Sequence, residues 1–143
     1  MNTAEQLTQV FNDNFVAYFR SHSAHVNIVG RNFTSDHTLL GGIYEDLQGQ
    51  IDHIGELLRT LGEFMPTSLA AILEASHIYD DPVEGSADEL LATVRDNLDH
   101  LKGCYEELIV IAADEGNEPI GNYAQDRELT IAKYIWQLDS TLS

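Results

Sequence analysis

Two histidines and two carboxylates in the first half of the chain, His25, His37, Asp52 and Glu56, are all residue types that hold transition metals. Two imidazoles with two carboxylates make a borderline-hard donor set suited to iron, with zinc and manganese as competitors. Asp52 and Glu56 are spaced i,i+4, so a helix presents both on one face. Each residue also has an ordinary reading. Carboxylates on a helix surface are usually just solvated. His25 falls in an apolar arc, where a hydrogen-bonded core imidazole fits, and His37 suits an exposed first turn. Type and spacing leave both readings open.

Helices must position these side chains, and apolar residues recur at helical spacing in four long segments. Proline and glycine fall between the segments or at their ends, apart from Gly41, Gly42, Gly49, Gly55 and Gly103. The first segment, about Thr3 to Val29, carries Leu7, Phe11, Phe15, Tyr18 and His22 or His25 on one face and ends at Gly30. The second starts after Thr34 or Ser35, either of which can cap it. It carries Leu40, Ile43, Leu47, Ile51, Ile54, Leu58 and Leu61 before Gly62 stops it. Ser68 to Ala75, following Pro66, reads as one or two turns within a long connection. Ser86-Ala-Asp-Glu89 is a capping box that opens a helix through Leu90, Val94, Leu98, Leu101, Tyr105 and Leu108 to about Ala113. The last runs from about Ile120 to Leu142, with Leu129, Ala132, Ile135 and Leu138 on one side. Two short connections and one long middle one predict an all-α four-helix bundle, a single domain over residues 1–143, with a crossover that traverses it.

At 100° per residue, Asp52 and Glu56 point away from the apolar stripe of their own helix. They are either plain surface acids or ligands facing a second subunit that supplies the histidines.

Composition narrows the classes. Twenty-four acids against seven bases give a net charge of −17, which repels phosphate backbones and anionic lipid while drawing in cations. Acidity also serves solubility, so charge alone does not indicate a metal. The one cysteine, Cys104, cannot form an internal disulfide and has no neighbour that would lower its pKa, which suits a reduced compartment. The start, MNTAEQLTQVF, lacks a basic leader pattern, and no apolar run is long enough to cross a bilayer. A soluble, unexported, cytoplasmic protein is expected.

The string from His25 through Gly30 to Phe33, then His37, then Ile51-Asp-His-Ile-Gly-Glu56 running on to Leu61-Gly62, resembles the signature of the Dps miniferritins. The likeness extends over the whole chain, including Pro66, Thr67 and Leu69 in the connection and Trp136-Gln-Leu138 near the end. It implies a ferritin-like four-helix bundle with a short helix in the crossover, assembled as a hollow homo-oligomeric shell of twelve subunits. It further implies ferroxidase sites at two-fold interfaces, with His25 and His37 from one subunit and Asp52 and Glu56 from its neighbour. Iron would be oxidised there by hydrogen peroxide or dioxygen and stored as ferric mineral, limiting oxidative damage. Asp114, Glu118 and Asp126 are the candidates for pores or iron entry.

Three departures from that family qualify the expectation. The aromatic residue usual after the first histidine is Val26, and a commonly acidic position four residues after His37 is Gly41. One well-occupied iron per site is therefore expected, with His22 and His53 as possible auxiliary ligands. The third is that no lysine precedes Lys102, so direct DNA binding is not expected. Two rivals remain. A di-iron site within one bundle needs Glu-x-x-His on two helices, and only Glu74-Ala-Ser-His77 has that spacing. The other is a ferritin-like shell with a degraded, non-catalytic site.

Overall fold

The computed structural model describes residues Met1–Ser143 and contains five helices and no strand. These are α1 (Thr3–Asn27), α2 (Phe33–Thr60), α3 (Leu69–Ala75), α4 (Ala87–Asp114) and α5 (Glu118–Leu142). Local chemistry sets their ends. Asn2 with Glu5, and Ser86 with Glu89, form reciprocal capping boxes, and the Asn117 side chain caps α5. Such caps contribute about 1 kcal/mol each. Gly62 (φ +82°) and Gly116 (φ +71°) end α2 and α4 in the left-handed region. At each, a pair of backbone bonds closes the last turn: Gly62 to Arg59 with Glu63 to Leu58, and Gly116 to Ala113 with Asn117 to Ala112.

Some boundaries differ from those expected. α1 stops at Asn27 because Ile28 turns extended and buries its side chain. Neither Thr34 nor Ser35 caps α2: Asn32 occupies the cap position without a side-chain bond, and the Ser35 hydroxyl donates back to the Asn32 carbonyl.

The chain runs α1 up and α2 down, and the crossover then climbs the bundle before α4 descends and α5 returns. Two contacts fix this order: Ala87 at the start of α4 lies beside Gly30, and the carboxylate of Glu115, just past α4, accepts from Thr3. Polar side chains of α1 hold the crossover along its length. Gln9 donates to the Ala75 carbonyl, Asp13 accepts from Ser76 and His77, and Arg20 binds Asp81.

One apolar cluster joins the four long helices, with Phe11, Leu47, Leu98 and Tyr105 among its fully buried members. The α2 and α4 stripes follow the expected residues, with Ile51 and Leu61 at the margin. In α1, Phe15, Tyr18 and His22 sit at the edge of the stripe, while Val10, Ala17 and Ala24 fill its centre. In α5 the stripe is rotated. Leu129 is exposed, and Ile120, Ala124, Ile131, Ile135 and Leu138 face the core. Arg127 lies on that same face and is buried, its guanidinium pairing with both oxygens of Asp46 on α2 at 3.0 Å. Tyr134 donates to the same carboxylate, and Tyr123 donates to Gln50, so side-chain bridges link α2 to α5.

Candidate metal centre

His25 sits in the last turn of α1 and His37 in the second turn of α2, and the short connection between the helices brings their rings together. The rings stack with centroids 3.8 Å apart and planes 17° from parallel. Each is fixed by the other residue's backbone: His25 Nδ1 lies 2.7 Å from the His37 carbonyl, and His37 Nδ1 lies 2.8 Å from the His25 carbonyl. A carbonyl can only accept, so both Nδ1 atoms carry the proton. Both Nε2 lone pairs are left available for a metal. Phe33 stacks on the outer side of His37 at 4.9 Å.

Gly41 belongs to this arrangement. A Cβ built there would lie 3.0 Å from His25 Cε1 and 3.3 Å from Nδ1, so the imidazole occupies the space a side chain would need. Val26 is exposed beside the pair. His22 is engaged elsewhere. Its ring stacks on Tyr44 at 3.9 Å, its Nδ1 shares a 3.1 Å hydrogen bond with the Tyr18 hydroxyl, and its centroid is 6.4 Å from that of His25.

Asp52 and Glu56 are exposed on α2, facing away from the core as their angular position predicts. The Glu56 pKa is raised, first by a hydrogen bond with the Asp52 carboxyl and then by its charge, while neighbouring His53 pulls the other way. A carboxylate pair under mutual repulsion favours a cation between them. His53 packs its ring 5.0 Å from Tyr123. The structure does not bring the carboxylates to the histidines. Fifteen residues of α2 separate His37 from Asp52, about 22 Å at the helical rise.

The other candidates are also dispersed. Asp114 ends α4, Glu118 begins α5, and Asp126 lies two turns further on; all three are exposed. Glu74 and His77 supply no ligand pair to the bundle interior: Glu74 is exposed on α3, and His77, beyond it, approaches the buried Asp13. Asp13, His77 and His100 form a cluster of possible ligands that sequence reading missed. They come from α1, the crossover and α4, so no local motif signals them.

Residues 4–143 match the model of the ferritin-like domain. The chain is 32% identical over 139 residues to antigen TpF1 of Treponema pallidum (strain Nichols), covering 96% of this chain and 78% of that protein. It is 24% identical over 144 residues to the DNA protection during starvation protein of Helicobacter pylori (strain J99 / ATCC 700824), covering 100% of both. The crystal structure of a Dps protein from Bacillus brevis superposes with a TM-score of 0.93 at 26% identity, over 99% of this chain and 95% of that one. The chain belongs to the Dps miniferritins. Helicobacter cinaedi CAIP has the same fold, with a TM-score of 0.91 at 28% identity over 99% of this chain and 100% of that chain. The Dps fold thus accommodates Val26 and Gly41 without distortion of the bundle. No helix is long and apolar enough to cross a membrane.

Proposed function

We propose that this Dps protein oxidises Fe(II) at sites shared between two subunits and stores the ferric product inside a hollow homo-oligomer of twelve chains, in the cytoplasm. The separation of the two ligand pairs on one chain supports this most. Each pair offers two donors, and an apposed second copy would join His25 and His37 of one subunit to Asp52 and Glu56 of the other. Exposed apolar side chains near both pairs suit such a contact: Val26, Val29 and Phe33 at the histidines, Phe64 and Met65 beyond the carboxylates.

Mixed imidazole and carboxylate ligation stabilises ferric over ferrous iron, and an open position admits the oxidant. Each Fe(II) gives up one electron. Hydrogen peroxide takes two and leaves as two hydroxide ions, so a second, more weakly held iron must join the first at the site for peroxide to be reduced without releasing a hydroxyl radical. Dioxygen is the slower alternative acceptor. With Gly41 supplying no carboxylate, one iron per site is well occupied. Asp114, Glu118 and Asp126 would draw Fe(II) inward under the −17 charge. The same charge makes protection of DNA a matter of removing iron and peroxide, without DNA binding.

Peroxide-driven Fe(II) oxidation, followed by ferric absorbance on the intact protein with sedimentation of the same sample, tests this reading. A large assembly that oxidises Fe(II), and loses that activity when Asp52→Ala and Glu56→Ala are combined, is the expected result. A large but inert assembly would favour a shell that has kept the fold and lost the chemistry, the reading for which Val26 and Gly41 speak.

A further inference from the structure

Asp13 is fully buried, yet its carboxylate is satisfied on one side only. Oδ1 accepts from the Ser76 hydroxyl at 2.9 Å, the His77 backbone N–H at 2.8 Å and the Gln9 amide at 3.3 Å. Oδ2 has only the weak thiol donor of Cys104 at 3.5 Å, and it faces His100 Nε2 at 3.4 Å and His77 Nδ1 at 3.9 Å. Burial and the adjacent Asp13 charge push the Cys104 thiol up, so it stays an S–H donor. The two imidazoles are partly exposed and meet edge to face, with centroids 5.8 Å apart.

We propose that Asp13, His77 and His100 form a second metal site, distinct from the histidine and carboxylate pairs, that binds a divalent cation of the zinc class. One oxygen and two imidazole nitrogens lie within 4.8 Å of one another. In a tetrahedral zinc site with bonds of about 2.0–2.1 Å, neighbouring ligand atoms stand about 3.4 Å apart. Asp13 and His100 already meet that spacing at 3.4 Å, and His77, on the outer crossover, stands 3.9 Å from the same oxygen. Three protein ligands leave the fourth position to solvent, because the three donors on Oδ1 keep the carboxylate monodentate. On the same donors zinc outcompetes Fe(II). The hollow at the site, about 290 Å³, is also lined by Asp99 and Glu107, which favour a cation at its mouth. Asp13 precedes His25 by twelve residues of α1, about 18 Å, so the sites are separate. A metal here would clip the crossover to α1 and α4.

The test uses the full-length protein carrying His37→Ala, Asp52→Ala and Glu56→Ala, which disables the first ligand set, titrated with zinc by calorimetry and heated with and without it. One zinc per chain and a thermal midpoint that rises with zinc are expected. Adding His77→Ala and His100→Ala should weaken that binding by more than about tenfold and remove the thermal shift. Both imidazoles are outside the core, and circular dichroism verifies that the bundle survives their loss. Absence of zinc binding in the first variant, or equal binding after the two histidines are removed, would overturn the proposal.

Discussion

His25 and His37 are each anchored by the backbone of the other, whereas Asp52 and Glu56 are anchored only by one another. The imidazoles are half-buried, stacked and locked in one tautomer by bonds of 2.7 and 2.8 Å. The carboxylates are exposed, and the hydrogen bond between them, followed by the Asp52 charge, raises the pKa of Glu56. One half of the ligand set is therefore organised when the chain folds. In the proposed shared site, the other half would lose its side-chain entropy only when a cation and a facing subunit arrive. Neutral ligands can be stored ready-made at little electrostatic cost, while two anions held together cannot.

The largest effect should come from disturbing the organised half. Gly41→Ala puts a methyl group 3.0 Å from His25 Cε1 and 3.3 Å from Nδ1, so the ring has to give by a few tenths of an ångström, which strains its bond to the His37 carbonyl. Metal affinity at the histidines should fall about tenfold, the lower end of what loss of ligand orientation costs. Helix propensity gains about 1 kcal/mol from the same change. Affinity and stability should thus move in opposite directions, which metal titration and a thermal melt of one sample would reveal. Undiminished affinity would mean that the histidine pair is softer than its hydrogen bonds suggest.

Much of this contrast could be read from the sequence, because local signals carried it. The Ser86-Ala-Asp-Glu89 capping box and the α4 stripe agree with each other, and the outward angle of Asp52 and Glu56 follows from helical geometry alone. Other features depend on distant partners. Arg127 is buried on the core face of α5, where Asp46, on another helix, receives it, while Leu129 is exposed. The interlocked imidazoles arise from the path of residues 28–32, which no periodicity describes. The burial of Asp13 depends on a crossover and an α4 histidine far along the chain.

On the unorganised side, the expected effect is a displaced titration. Asp52 holds Glu56 protonated to a higher pH than an ordinary glutamate, by hydrogen bonding and by charge. A metal must displace that proton, so cation binding should weaken as pH falls through the raised Glu56 pKa, earlier than a normal glutamate would cause. Asp52→Ala removes both influences, and the Glu56 carboxyl, followed by NMR in the metal-free protein, should titrate at a lower pH than before. An unchanged midpoint would show that the two carboxylates already stand apart in solution.

The smallest effect is expected at His22, and its size decides where the organised half ends. The ring lies one turn from His25, close enough to suggest an auxiliary ligand. Its Tyr44 stack at 3.9 Å and its hydrogen bond with Tyr18 hold it within the α1–α2 seam instead. Recruiting it would cost both contacts, and an aromatic pair of this kind contributes about 0.5–1.5 kcal/mol. His22→Ala should therefore lower thermal stability slightly and change metal affinity by less than about twofold, a difference below 0.5 kcal/mol. A larger loss of affinity, with stability intact, would make His22 a third imidazole ligand and widen the histidine half-site beyond the interlocked pair.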